Sequence, residues 1–161
     1  MLIVLQCITF LAQANQINDT LAIYKVVYHS LTSKKKTRYN IKPKTYMVRN
    51  FDFKNMVNPF DKKSEEIWNR ANWREFNLQM DTSKVKNYKL ETNGKPWFPT
   101  TKSTYDYNLS FSPIIFNTKK DLALTVTTAY LNSENWKVVY YLEFVKGKGW
   151  GIINIFQFSM T

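Results

Sequence analysis

Four runs between Tyr105 and Phe158, in which apolar and polar residues alternate, constrain this chain more than any other feature. A step of two sends successive side chains to opposite faces of an extended strand. In the first run Tyr105, Tyr107, Leu109 and Phe111 alternate with Asp106, Asn108, Ser110 and Ser112, and Ile114 to Phe116 resume after Pro113. The second carries Leu122, Leu124, Val126 and Tyr130, the third Trp136, Val138, Tyr140, Leu142 and Phe144, and the fourth runs from Trp150 to Phe158. Between them stand short polar turns, at Asn117 to Lys120, at Asn132 to Asn135 and at Lys146-Gly147-Lys148-Gly149. Strands joined in this way predict an antiparallel meander. Pro113 lacks the N–H that a ladder needs, so the first strand is expected at an edge, or bulged there. The second face of the last two strands is apolar too (Val139, Tyr141, Val145, Ile153, Ile155) and requires cover. The first helix is the expected cover, and a partner subunit is the other source.

Upstream, Ile17, Leu21, Tyr24, Tyr28 and Leu31 recur at steps of three and four, with Val27 on the same stripe, which predicts a helix over Asn18 to Leu31. Asn18, Asp19 and Thr20 suit its N-terminal cap. A second, short helix is expected from Asp61 or Ser64, with Glu65 and Glu66 in its first turn and Ile67, Trp68 and Ala71 on its inner side. From Arg74 the pattern returns to a step of two, with Phe76, Leu78 and Met80 on one face of a strand. Val85 to Glu91 can form another strand. Asn93-Gly94 is a turn signal, while Pro96 and Pro99 argue against a regular hairpin partner beyond it. The fold class these elements predict is α+β, with N-terminal helices packed on an antiparallel sheet that has a four-strand C-terminal meander.

The first fourteen residues contain no charged side chain and close on Ala12-Gln13-Ala14, a small-x-small pattern suited to signal peptidase. The expected organisation is therefore a signal peptide over residues 1–14 and a single domain over 15–161. A buried first strand over Leu2 to Phe10 is the competing reading. No segment is long and apolar enough to span a bilayer as a helix. The cleaved leader implies an exported product, periplasmic or extracellular, without the sole cysteine, Cys7.

The net charge is +11, and between Lys34 and Lys54 eight basic residues (Lys34, Lys35, Lys36, Arg38, Lys42, Lys44, Arg49, Lys54) face one acid, Asp52. Such a field concentrates anionic partners, which points to an acidic polysaccharide or an envelope surface. Of the 23 basic residues only Arg38, Arg49, Arg70 and Arg74 are arginine, and bidentate recognition of phosphate and base edges favours arginine. Nucleic acid is therefore the lesser reading and requires an uncleaved leader. A solvated basic loop explains the same run without any ligand. Trp97-Phe98, held between Pro96 and Pro99, is the best candidate for an aromatic contact surface, although aromatic rings more often belong to a core. The ligand-binding candidates are thus Lys34, Lys35, Lys36, Arg38, Lys42, Lys44, Trp97 and Phe98.

Catalytic chemistry has little to work with. One histidine, His29, and no cysteine beyond Cys7 leave no basis for a nitrogen–sulfur metal site. There is no Gly-x-Ser-x-Gly elbow, calcium loop or phosphate loop. Neither a cofactor nor a metal is expected. The enzymatic alternative is a carbohydrate-active hydrolase with two carboxylates, for which Glu65/Glu66 and Asp106/Glu143 are the pairs in view.

The second half also resembles a known group. Asp81-Thr82-Ser83, Tyr88-Lys89-Leu90, Phe111-Ser112-Pro113-Ile114-Ile115-Phe116-Asn117, Ala123-Leu124 and the closing Lys146-Gly147-Lys148-Gly149-Trp150 are similar to small secreted proteins of unassigned function common in Bacteroidetes. Many of those carry a Cys-rich glycine loop where this chain has Leu131 to Asn135. The resemblance implies export and a bacterial source, and no activity.

Overall fold

The computed structural model describes residues 2–33, 38–46, 76, 85–98, 107–131 and 134–160. One helix, α1 (Leu2–Ser33), is followed by eight strands: β1 (Tyr39–Ile41), β2 (Glu91–Thr92), β3 (Lys95–Pro96), β4 (Tyr107–Phe111), β5 (Ile115–Phe116), β6 (Leu122–Leu131), β7 (Glu134–Val145) and β8 (Gly149–Met160). The main sheet runs β1-β4-β6-β7-β8, with β5 also paired to β6, and β2 and β3 form a separate two-stranded hairpin.

This overturns the α+β expectation of N-terminal helices packed on an antiparallel sheet with a four-strand C-terminal meander. The chain is mostly β: the described residues contain one extended helix, and the sheet is mixed. Tyr39–Ile41 lies parallel to Tyr107–Leu109, so β4 is flanked on both sides and is not an edge. Pro113 falls just past the end of β4, where no ladder partner is required of it. Inside the supposed polar loop, Tyr39 and Ile41 alternate with Arg38, Asn40 and Lys42, and the two apolar rings and chains are buried. These three polar neighbours concealed a strand only three residues long.

The helix also departs from its expected start. It is continuous from Leu2, so Asn18, Asp19 and Thr20 stand in its interior and cap nothing. Asp19 has a tertiary role instead: its Oδ1 accepts the indole N–H of Trp150 at 3.1 Å. Among the described residues no helix is long and apolar enough to cross a membrane. The second helix near Ser64 and the residues Leu78 and Met80 lie outside the described residues. Phe76 is described, and its backbone is helical, not extended. Trp73, Phe76 and Met80 are also three and four residues apart, so a short apolar series satisfied both periods.

Ile23, Tyr24 and Val27 are fully buried and form one core with Tyr39, Ile41, Leu109, Phe111, Ala123, Ala129, Val138, Tyr140 and Leu142. The buried stripe of α1 is thus rotated from the expected one, with Ile23 inside and Leu21 only half-buried. Burying an aliphatic side chain of this size contributes roughly 1.5–3 kcal/mol, enough for two such residues to dock a helix turn. The helix therefore covers the Val138–Tyr140–Leu142 face of the sheet. Tyr141, on the opposite face, is covered by Phe76, whose ring meets it edge-on with centroids 6.1 Å apart. The expectation that α1 covers the second apolar face is corrected accordingly.

The fourth strand carries a device that the alternation did not reveal. Tyr141 pairs with Asn154 but Leu142 pairs with Ile152, which leaves Ile153 as the extra residue of a β-bulge. The bulge changes the parity of β8, so Ile152 and Ile155 both share the helix side with Leu142 and Tyr140. Ile155, at the sheet's edge strand, is exposed. The Asn93-Gly94 turn does form a hairpin, with φ of 51° and 74° at its two central residues. It has only two rungs, Glu91–Pro96 and Thr92–Lys95. Glu91–Pro96 is the non-hydrogen-bonded rung, so the N–H that Pro96 lacks is not one the hairpin uses, and bonding resumes beyond it from Trp97 N–H to the Leu90 carbonyl.

Candidate anion-binding face

The residues from Arg38 to Tyr46 run along one side of the sheet, and apart from the exposed Pro43 their burial follows parity. Tyr39, Ile41 and Thr45 are buried, whereas Arg38, Lys44 and Tyr46 are exposed and Asn40 and Lys42 half-buried. Even-numbered positions therefore share the face turned away from α1. Main-chain bonds hold this edge to β4 on either side of Pro43: Lys42 N–H donates to the Leu109 carbonyl at 2.8 Å, and Tyr46 N–H to that of Phe111 at 2.8 Å. Asn40 is tied laterally to Asn108, donating from Nδ2 to Oδ1 at 3.0 Å. Lys42 places its ammonium 5.8 Å from the centroid of the Tyr130 ring, a cation–π contact that orients it over the same face.

Lys44 makes the arrangement unusual. It forms an isolated antiparallel bridge with Lys89. The flanking bonds run from Leu90 N–H to the Pro43 carbonyl and from Thr45 N–H to the Tyr88 carbonyl, both 2.9 Å. This is the non-hydrogen-bonded type of pair, in which the opposed side chains stand closest and on one face. Two like charges so placed repel each other. Glu91 offsets one of them, with its carboxylate 3.4 Å from Lys89 Nζ, while the exposed Lys44 has no ion pair among the described residues. Lys137, opposite Thr128 on β7, belongs to the same face by register.

The structure thus brings together Arg38, Lys42 and Lys44 of the expected site and adds Lys89 and Lys137. Lys34, Lys35 and Lys36 lie outside the described residues. Lys89 was hidden because its proximity depends on a bridge between segments 45 residues apart in sequence. A signal for the rest existed: the spacing of Arg38, Lys42 and Lys44 by even numbers is itself a strand pattern.

Trp97 and Phe98 do not form a joint contact surface. Phe98 is only 7% exposed. Its ring stacks on Phe111 at 5.5 Å and meets Tyr28 at 5.2 Å, deep in the helix–sheet core. Pro96 did not project the pair outward, because the chain after the hairpin turns in under α1. Trp97 is half-buried beside Tyr24, with ring centroids 6.1 Å apart, and its indole N–H donates to Thr92 Oγ1 at 2.6 Å.

The titratable groups with clear shifts are core tyrosines. Burial pushes the Tyr24 phenol well up, reinforced by the neighbouring Tyr88. Tyr88 is raised by burial while its bonds to Tyr24 and to the Ile114 N–H pull it back. Tyr39 and Tyr140 are also raised by burial. Tyr24 donates to the Ser112 carbonyl at 2.7 Å, so in its 2.6 Å bond with Tyr88 it is Tyr88 that donates. These phenols serve packing. His29 is exposed on the flank of α1, and among the described residues no group of three or more His, Cys, Asp or Glu could hold a metal. Glu143 is exposed on β7, and Asp106 lies outside the described residues. No family model, curated protein or solved structure matches this chain.

Proposed function

We propose that this is an exported, non-catalytic domain that attaches to an anionic envelope surface or polysaccharide through the outer face of its β1 edge. The observation that carries the reading is the in-register set of Arg38, Lys42 and Lys44, with Lys44 set against Lys89. Juxtaposed ammoniums cost stability in the free protein and are relieved by a bridging anion. Their placement on paired backbone fixes the spacing that a repeating polyanion would meet.

Export is supported by the uncharged opening and by the resemblance of the second half to small secreted proteins of Bacteroidetes. The test has two arms. The native protein should be recovered from envelope or medium with Asn15 as its first residue, and the purified domain should bind immobilised dextran sulfate but not uncharged dextran. Recovery solely from cytosol, or equal retention by both matrices, refutes the reading.

A further inference from the structure

We infer that the cleft between α1 and the β2–β3 hairpin is a second, distinct binding site, for a single acidic sugar unit. It rests on observations separate from the β1 face. The cleft has a volume of about 480 Å³, and its walls are supplied by Asn18, Leu21 and Lys25 of α1 and by the hairpin. That is within the range of about 300–1,000 Å³ found for small-molecule sites. Leu21 and Lys25 are four residues apart and share one side of the helix.

The composition of the walls selects the ligand. Trp97 lines the cleft with its ring held on two sides, by the bond from its indole N–H to Thr92 and by Tyr24. A fixed, half-buried indole suits the C–H face of a pyranose, and its own polar atom is already satisfied. Asn93, at the tip of the hairpin, supplies an amide that can both donate and accept toward hydroxyls. Lys25 and Lys95, one from each wall, are exposed at the cleft and have no acid among its lining residues. A carboxylate between them would be held from both sides. Aromatic platform, amide and an ammonium from each wall together describe a uronic acid, and a neutral sugar would leave both cations unused.

The site is fixed in shape. The hairpin turn uses left-handed conformations at Asn93 and Gly94, and the Trp97 N–H donates to the Leu90 carbonyl at 2.9 Å. The cleft is thus present before any ligand arrives.

Titration calorimetry with the monosaccharides galacturonate and galactose tests this, on the full chain carrying Arg38→Gln/Lys42→Gln/Lys44→Gln so that the β1 face does not contribute. Galacturonate should bind and galactose should not. Adding Lys25→Gln/Lys95→Gln should weaken galacturonate at least tenfold with an unchanged melting temperature, and adding Trp97→Phe should weaken it while preserving the fold. Equal binding of the two sugars, absence of galacturonate binding at millimolar concentration, or an affinity that survives Lys25→Gln/Lys95→Gln overturns the proposal.

Discussion

Tyr24 has a single proton, donated to the Ser112 carbonyl, and its oxygen receives the proton of Tyr88. Removing that hydroxyl leaves the buried Ser112 carbonyl with only its 3.3 Å bond from Thr125 Oγ1, and the Tyr88 proton without its acceptor. Tyr24→Phe should therefore cost about 1–3 kcal/mol in urea unfolding. The same residue governs alkaline behaviour. In the unfolded chain a phenol ionises near pH 10, whereas burial raises the pKa of Tyr24, Tyr88, Tyr39 and Tyr140 in the folded protein. The stabilisation is complete below the unfolded value and is lost as pH rises above it toward the folded values, because only the unfolded state gains by releasing protons. Stability should fall above about pH 10, and more gently in Tyr24→Phe than in the parent. Phe98 offers a second contrast between core and surface. Packed against Phe111 and Tyr28, its replacement by alanine should cost about 3–5 kcal/mol. A loss below about 0.5 kcal/mol would mark a surface residue and contradict the packing described.

At the level of elements, β1 is the piece on which the functional reading depends. The bridge from Lys44 to Lys89, just past the end of β1, sets like charges side by side, so Lys44→Gln should raise stability by a few tenths of a kcal/mol while weakening polyanion binding. A melting curve and a retention assay on the same variant check both signs, and a variant that loses stability instead would mean that Lys44 is held by a favourable partner. The elements also show what periodicity can convey. The long runs in β4, β6, β7 and β8 were legible because one buried face repeats through many residues. β1 was not, since three residues carry too little alternation to stand out from a basic run. Ile153 could not be identified either, because a bulge is defined by the partner strand and changes no residue type. The same holds for Lys89 and for the cleft residue Lys25, which acquire neighbours only through tertiary folding. Trp97 and Phe98 stood out correctly as unusual, but the direction each ring takes depends on the chain turning under α1.

For the whole molecule, a net charge of +11 is an attraction without an address until some of it is fixed in geometry. The mixed sheet does this by placing the basic residues that flank β1, and Lys89, on the face opposite the helix. The helix, in turn, ties β4 through the Tyr24–Phe111 contact and the far end of the sheet through Trp150. The most direct test of the account is the salt dependence of dextran sulfate binding, measured for the parent and for Arg38→Gln/Lys42→Gln/Lys44→Gln. Screening shortens the reach of charge from about 30 Å at 0.01 M salt to about 8 Å at 0.15 M, so the parent should lose affinity steeply over that range. The triple variant, still folded, should bind more weakly and show a distinctly shallower dependence. An unchanged slope in the variant would mean that the anion is held elsewhere, and the β1 face would have no part in binding.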